Sequence, residues 1–74
     1  MPKLSYAAVF EQAPDGTWSG YVPDLPVILA TGSTKADAIS DMHAALHLWI
    51  EDQKQRGLPI PSPVTDFVRI EVAA

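Results

Sequence analysis

Few side chains in this sequence could do chemistry, and spacing decides what each can do. His43 and His47 stand four apart. On a helix that places both imidazoles on one face, the arrangement that can chelate a metal ion. Glu51 continues the row, but eight residues of helix rise about 12 Å, too far for one ion to take ligands from both ends. Ala44, Ala45 and Leu46 fill the gap between the histidines, so the glutamate of the HExxH zinc motif is missing. The pair reads as a solvated flank of a helix, and neither a metal site nor a cofactor is expected.

The other candidates for catalysis are weaker still. Asp15, Asp24, Asp37, Asp41, Asp52 and Asp66 have no metal-cluster spacing. Asp15 reads as a turn residue, Asp37 as a helix cap, Asp41 and Asp52 as solvated helix positions. The serines at 5, 19, 33, 40 and 62 lack a nucleophile-elbow context. The four glycines are scattered singly, so no loop can cradle a phosphate. A residual hydrolase built on His43, His47 or Asp24 has too few groups, poorly spaced. The chain is expected to bind and not to catalyse.

Binding residues are easier to nominate. Pro23-Asp24-Leu25-Pro26 is a rigid corner, and Asp24 reads either as an Asx-type turn or as a preset acidic contact for a partner. Trp18 and Tyr21 fall on opposite faces of a regular strand, one in the core and one on a contact surface. Trp18, Tyr21, Pro23 and Asp24 form the candidate partner-binding set. Ala7 and Val9 are the candidate oligomer or partner face of the sheet. The spaced prolines at 23 and 26, and at 59, 61 and 63, suit turn and crossover roles better than polyproline recognition.

Composition narrows the class of partner. A chain of 74 residues holds one domain, read as 1–74. A domain of this size buries only about 60% of the surface its unfolded chain exposes, so association would help it. Hydrophobic residues make up 47% of the chain, enough to argue against disorder. There is no cysteine, hence no disulfide and no thiolate site. The N-terminus lacks the apolar core of a signal peptide, and no apolar run is long enough to span a membrane. The expectation is a cytoplasmic protein without membrane contact. Net charge is −4, and the five bases, Lys3, Lys35, Lys54, Arg56 and Arg69, are spread thinly. Nucleic-acid binders need clustered cations, so direct nucleic-acid binding is not expected. An acidic chain suits a basic protein instead.

The elements that must position these residues follow from periodicity and turn chemistry. Leu4 to Glu11 reads as a strand with Tyr6, Ala8 and Phe10 on one face and Ala7 and Val9 on the other. Pro14-Asp15-Gly16 turns the chain into a second strand, Thr17 to Val22, through a loop longer than two residues. Val27 to Thr31 is a third strand whose unbroken apolar run predicts burial on both faces. Thr34-Lys35-Ala36-Asp37 opens a helix that runs to Gln55 or Arg56, with Gly57 at C′. Ile39, Met42, Leu46, Trp49 and Ile50 form its apolar stripe, extended by Ala38 and Ala45. Leu48 lies opposite that stripe. Leu58 to Pro63 reads as an extended crossover, and Asp66 to Val72 as a last strand with Val68, Ile70 and Val72 on one face. The fold class is therefore α+β, in the order β-β-β-α-β, an antiparallel-based sheet with one helix on one face. One helix covers one face of a sheet. The first and third strands are apolar on both faces, so a partner must cover the second.

The ordered set of motifs resembles the HicB family of antitoxins. It comprises Asp15-Gly16, then Trp18-Ser19-Gly20-Tyr21-Val22-Pro23-Asp24-Leu25-Pro26, then Ala30-Thr31-Gly32-Ser33-Thr34. The helix with Ala38-Ile39, Ala44-Ala45-Leu46 and Trp49, and the tail Gly57-Leu58-Pro59-Ile60-Pro61-Ser62-Pro63, continue the match over nearly the whole chain. The resemblance implies a pared-down ribonuclease-H-like fold without nuclease activity. It implies an antitoxin that covers the active-site histidine and RNA surface of a HicA-like toxin, a small basic protein that cleaves messenger RNA. Two departures stand out. Val27-Ile28 follows Pro26 where the family usually has Gly-Cys, and the sequence stops at Ala74 where many members continue into a DNA-binding domain. No C-terminal DNA-binding domain is expected, and autoregulatory DNA binding by this chain is not expected either. The alternative is a stand-alone homo-oligomeric module, a homodimer or larger, with a regulatory or small-ligand role.

Overall fold

The computed structural model describes residues 4–74, with residues 26–28 described by their backbone alone. Lys3 and the rest of 1–3 lie outside the described residues. So do the side chains of Val27 and Ile28, on which expected burial of the third strand partly rested.

Three antiparallel strands, β1 (Val9–Gln12), β2 (Trp18–Val22) and β3 (Leu25–Gly32), form a sheet in the order β1-β2-β3. One helix, α1 (Lys35–Gln55), packs on it. The α+β class and the β-β-β-α order are those the sequence predicts. Among the described residues no helix is long and apolar enough to cross a membrane.

Turn chemistry sets the hairpin. The β1–β2 loop closes with Ala13 N–H donating to Thr17 C=O at 2.8 Å and Gly16 N–H to Ala13 C=O at 2.9 Å. Asp15 Oδ1 accepts from Thr17 N at 3.0 Å and from Thr17 Oγ1 at 2.6 Å, an Asx turn that also holds the Asp15 carboxyl below its ordinary pKa. Gly16 takes φ +92°, which a side chain would resist. The register then follows: Val9 faces Tyr21, Phe10 faces Gly20, Gln12 faces Trp18. The Phe10 ring lies over Gly20, where any Cβ would fall 2.6 Å from Phe10 Cε1.

The helix is fixed at both ends by its sequence. Thr34 Oγ1 accepts from Asp37 N at 3.1 Å, and Ser33 Oγ donates to Asp37 Oδ2 at 3.0 Å. At the far end Gly57, at φ +67°, donates to Lys54 C=O and Leu58 N–H donates to Gln53 C=O, a Schellman closure. The core lies between helix and sheet: Val22, Leu25, Ala30, Ala38 and Met42 are buried. Tyr6, Ala8, Phe10, Ala45, Leu46 and Trp49 pack around that cluster. Ile39, expected in the stripe, sits at its margin and Leu48 is exposed.

Four expectations are corrected. The first strand is shorter than Leu4 to Glu11, because residues 4–8 have no ladder partner. Continuing the register places Ala7 opposite Pro23, which has no N–H to give. The third strand starts earlier, at Leu25, because the corner needs only Pro23 and Asp24. A register shift between Tyr21 and Val22 lets Val22 face Leu25. Asp41 is not simply solvated: its Oδ2 accepts from Thr31 N at 3.0 Å, tying helix to edge strand. Finally, Asp66 to Val72 is not a strand in the single chain, so the fourth β of β-β-β-α-β is absent; residues 58–74 hold no helix or strand. The segment pairs with no described ladder, and Phe67, Val68, Ile70 and Val72 are each more than 70% exposed. The radius of gyration, 14.2 Å, exceeds the roughly 11 Å of a compact chain this long, as a protruding tail requires.

Candidate functional site

The site is built from strand alternation. Tyr6, Ala8 and Phe10 turn toward the helix with Gly20, Val22 and Ala30. Their neighbours must turn the other way. Val9 pairs with Tyr21, and Tyr21 pairs with Leu29, so these three form one row straight across the sheet on the face the helix does not cover. Ala7 lies next to Val9 on the same side. Tyr21 is 40% exposed and Leu29 70%. Glu11, Ser19 and Thr31 follow on the same face toward the hairpin loop and make its polar end. The arrangement is an apolar strip with a polar end.

Trp18 and Tyr21 are divided as strand alternation predicts, and the structure says which is which. Trp18 is on the helix side, with Lys35 Nζ 5.9 Å from its ring centroid. Tyr21 is on the open face. Sequence reasoning missed Leu29 as an exposed residue of the open face. The signal was present in the register, since Leu29 shares the parity of Tyr21 once the β2–β3 pairing is known.

Pro23 is exposed at the corner. Asp24 beside it is spoken for within the chain. Its Oδ2 accepts from Val64 N at 2.9 Å and Thr65 N at 3.0 Å, and its Oδ1 accepts from Thr65 Oγ1 at 2.6 Å. These donors, led by the Thr65 hydroxyl, hold the Asp24 carboxyl below its ordinary pKa. Tyr6 supports the same crossover by donating its hydroxyl to Pro61 C=O. Burial and the nearby Asp24 charge push the Tyr6 phenol up. Asp24 thus anchors the tail across forty residues of sequence. Nothing in the spacing of Pro23-Asp24 announces Thr65 as its partner.

The remaining candidates do not converge. His43 and His47 are both exposed. Among the described residues no group of three or more His, Asp or Glu side chains gathers as a metal site. His43 instead borders a cleft of about 140 Å³ between α1 and β1, whose other walls include Tyr6, Phe10, Ile39 and Met42. A second cleft, of about 290 Å³, lies where Phe67 and Arg69 of the tail approach Ala8, Val9, Phe10 and Lys35. The bases are dispersed: Lys54 and Arg56 pair with Glu51 at 3.8 Å and Asp52 at 3.4 Å on the exposed helix.

No curated protein and no solved structure matches the chain. A family model described as UPF0150-like matches residues 6–61. That span contains all three strands, the apolar row on the open face, the Pro23-Asp24 corner and the whole helix. With most of its length matched, the chain belongs to the UPF0150-like family.

Proposed function

We propose that this chain is an antitoxin-type protein-binding domain, which neutralises a HicA-like messenger-RNA-cleaving toxin by covering its active site. The observation that carries the reading is the row Val9–Tyr21–Leu29, an apolar strip on the face the helix leaves open. A domain of this size has reason to bury more apolar surface against a partner. The net charge of −4 suits a small basic partner and steers its approach. The UPF0150-like family is related to the HicB-like antitoxins, which supports the same reading. The action is binding without catalysis, at the cytoplasmic site where a messenger-RNA-cleaving toxin would work.

The reading expects a neighbouring gene for a small basic protein with a central histidine, and the test is co-expression of the two. The expected result is relief of growth arrest and a stoichiometric complex that co-purifies. Persistent toxicity with no complex would overturn the proposal.

A further inference from the structure

We propose that residues 66–72 are a dimerisation strand, which pairs antiparallel with the same segment of a second copy about a two-fold axis through Ile70. The dimer is read from the size of the chain by itself and the toxin-binding face from co-purification, so the two proposals fail separately.

The segment Phe67-Val68-Arg69-Ile70-Glu71-Val72-Ala73 alternates with period two. In the single chain it belongs to no described ladder. Val68 is 77% exposed, Ile70 78% and Val72 80%. A run of exposed apolar β-formers outside any ladder is a template for another strand. Sequence symmetry says which strand. Turned end for end on Ile70, the segment places Arg69 opposite Glu71 and Glu71 opposite Arg69. On the other face it places Val68 opposite Val72, Ile70 opposite Ile70 and Val72 opposite Val68. Every charge meets its opposite and every β-branched residue meets another, which are favourable cross-strand pairs. A C2 interface must be self-complementary in this way. Shifting the pairing by two residues keeps a two-fold axis but moves it onto a charge: one choice sets Arg69 against Arg69, the other sets Glu71 against Glu71. The register is thus specified by charge as well as by shape.

The fold places the segment where a copy can reach it. Asp24 pins Val64 and Thr65, so the strand leaves from a fixed point. Phe67 and Arg69 lie along a cleft with Ala8, Val9 and Phe10, while the Val68–Ile70–Val72 side is open.

Five tail variants test this in the full chain, with circular dichroism to check the fold. Light scattering should give a dimer for the unaltered chain. R69E makes the chain more acidic and E71R makes it less so. Each sets two pairs of like charges face to face, and each should weaken self-association about tenfold or more. The double variant R69E/E71R should restore it. General charge repulsion would instead make E71R associate more tightly. The chain has no cysteine, so I70C should oxidise to a disulfide-linked dimer, since directly paired residues lie within disulfide reach. R69C should not, because copies of that position are offset by two residues each way. A monomer at high concentration would overturn the proposal. So would a dimer indifferent to R69E, a double variant that fails to restore association, or equal cross-linking by R69C and I70C.

Discussion

Leu29 and Met42 are both large and apolar, and the structure assigns them opposite duties. Met42 is 3% exposed in the core; Leu29 is 70% exposed on the open face. Fully burying a leucine is worth about 1.5–3 kcal/mol. The fold has used less than a third of that at Leu29, so Leu29→Ala should cost the free domain under about 1 kcal/mol. A partner that buries the rest would lose about 1–2 kcal/mol, a roughly 5- to 30-fold weaker complex. Met42→Ala reverses the pattern. It opens a cavity in the core at a cost of about 2–5 kcal/mol. A domain of this length has about 4–11 kcal/mol in all, so the loss is severe. The melting temperature should fall by at least about 8 °C, whereas Leu29→Ala should move it by only a few degrees. Thermal melts of the free proteins and titration against the co-purified partner separate the two effects. A Leu29→Ala melt as depressed as that of Met42→Ala would refute the assignment of Leu29 to an uncovered face. Unchanged partner affinity with unchanged stability would refute that face as the interface.

The Asp24 anchor makes a pH prediction. Its pKa is lowered in the folded chain by the Thr65 and Val64 donors, so the anchor is at full strength above the unfolded carboxylate value of about 3.9 and is lost as pH falls through the lower folded value. The amide resonances of Val64 and Thr65 should titrate below the ordinary carboxylate range and sit at their released positions at all pH in Asp24→Ala; titration at or above about 3.9 would contradict the anchor. Gly32→Ala should destabilise by about 1–3 kcal/mol, although alanine in a strand is ordinarily better than glycine, because its Cβ would lie 2.5 Å from the backbone nitrogen of Ala38. A denaturant midpoint equal to or above that of the unaltered chain would show that β3 and the start of α1 are not so closely packed.

What was legible in the sequence was local. Thr34, Asp37 and Gly57 announce the ends of the helix through capping chemistry that a short window contains. Pro14-Asp15-Gly16 announces the hairpin in the same way. The division of Trp18 from Tyr21 follows from strand parity alone. What stayed hidden needed contacts far apart in sequence. Asp24 finds its donors at Val64 and Thr65, and Asp41 finds Thr31, through the path of the folded chain. Leu29 emerges as a surface residue only when the β2–β3 register is known. The last strand is legible as a period-two pattern, yet pairing is a relation between two segments, and the pattern names only one of them.

That distinction bears on how the edges of the sheet are used. An exposed strand edge invites unwanted pairing and has to be blocked or used. At β3 the chain blocks it: the Asp41 carboxylate from α1 takes the Thr31 N–H that an incoming strand would need. At β1 the edge is only four residues long, and the tail side chains Phe67 and Arg69 lie alongside Ala8, Val9 and Phe10. A foreign strand arriving there would have to displace a segment held at its root by three hydrogen bonds to Asp24. The chain therefore withholds its strand edges while presenting two other surfaces: a face, through Val9, Tyr21 and Leu29, and a self-complementary strand, through residues 66–72. The two adjoin at Val9, beside which Phe67 and Arg69 lie. A second copy on the tail would join two such faces and raise the effective concentration of each toward a partner that carries two sites.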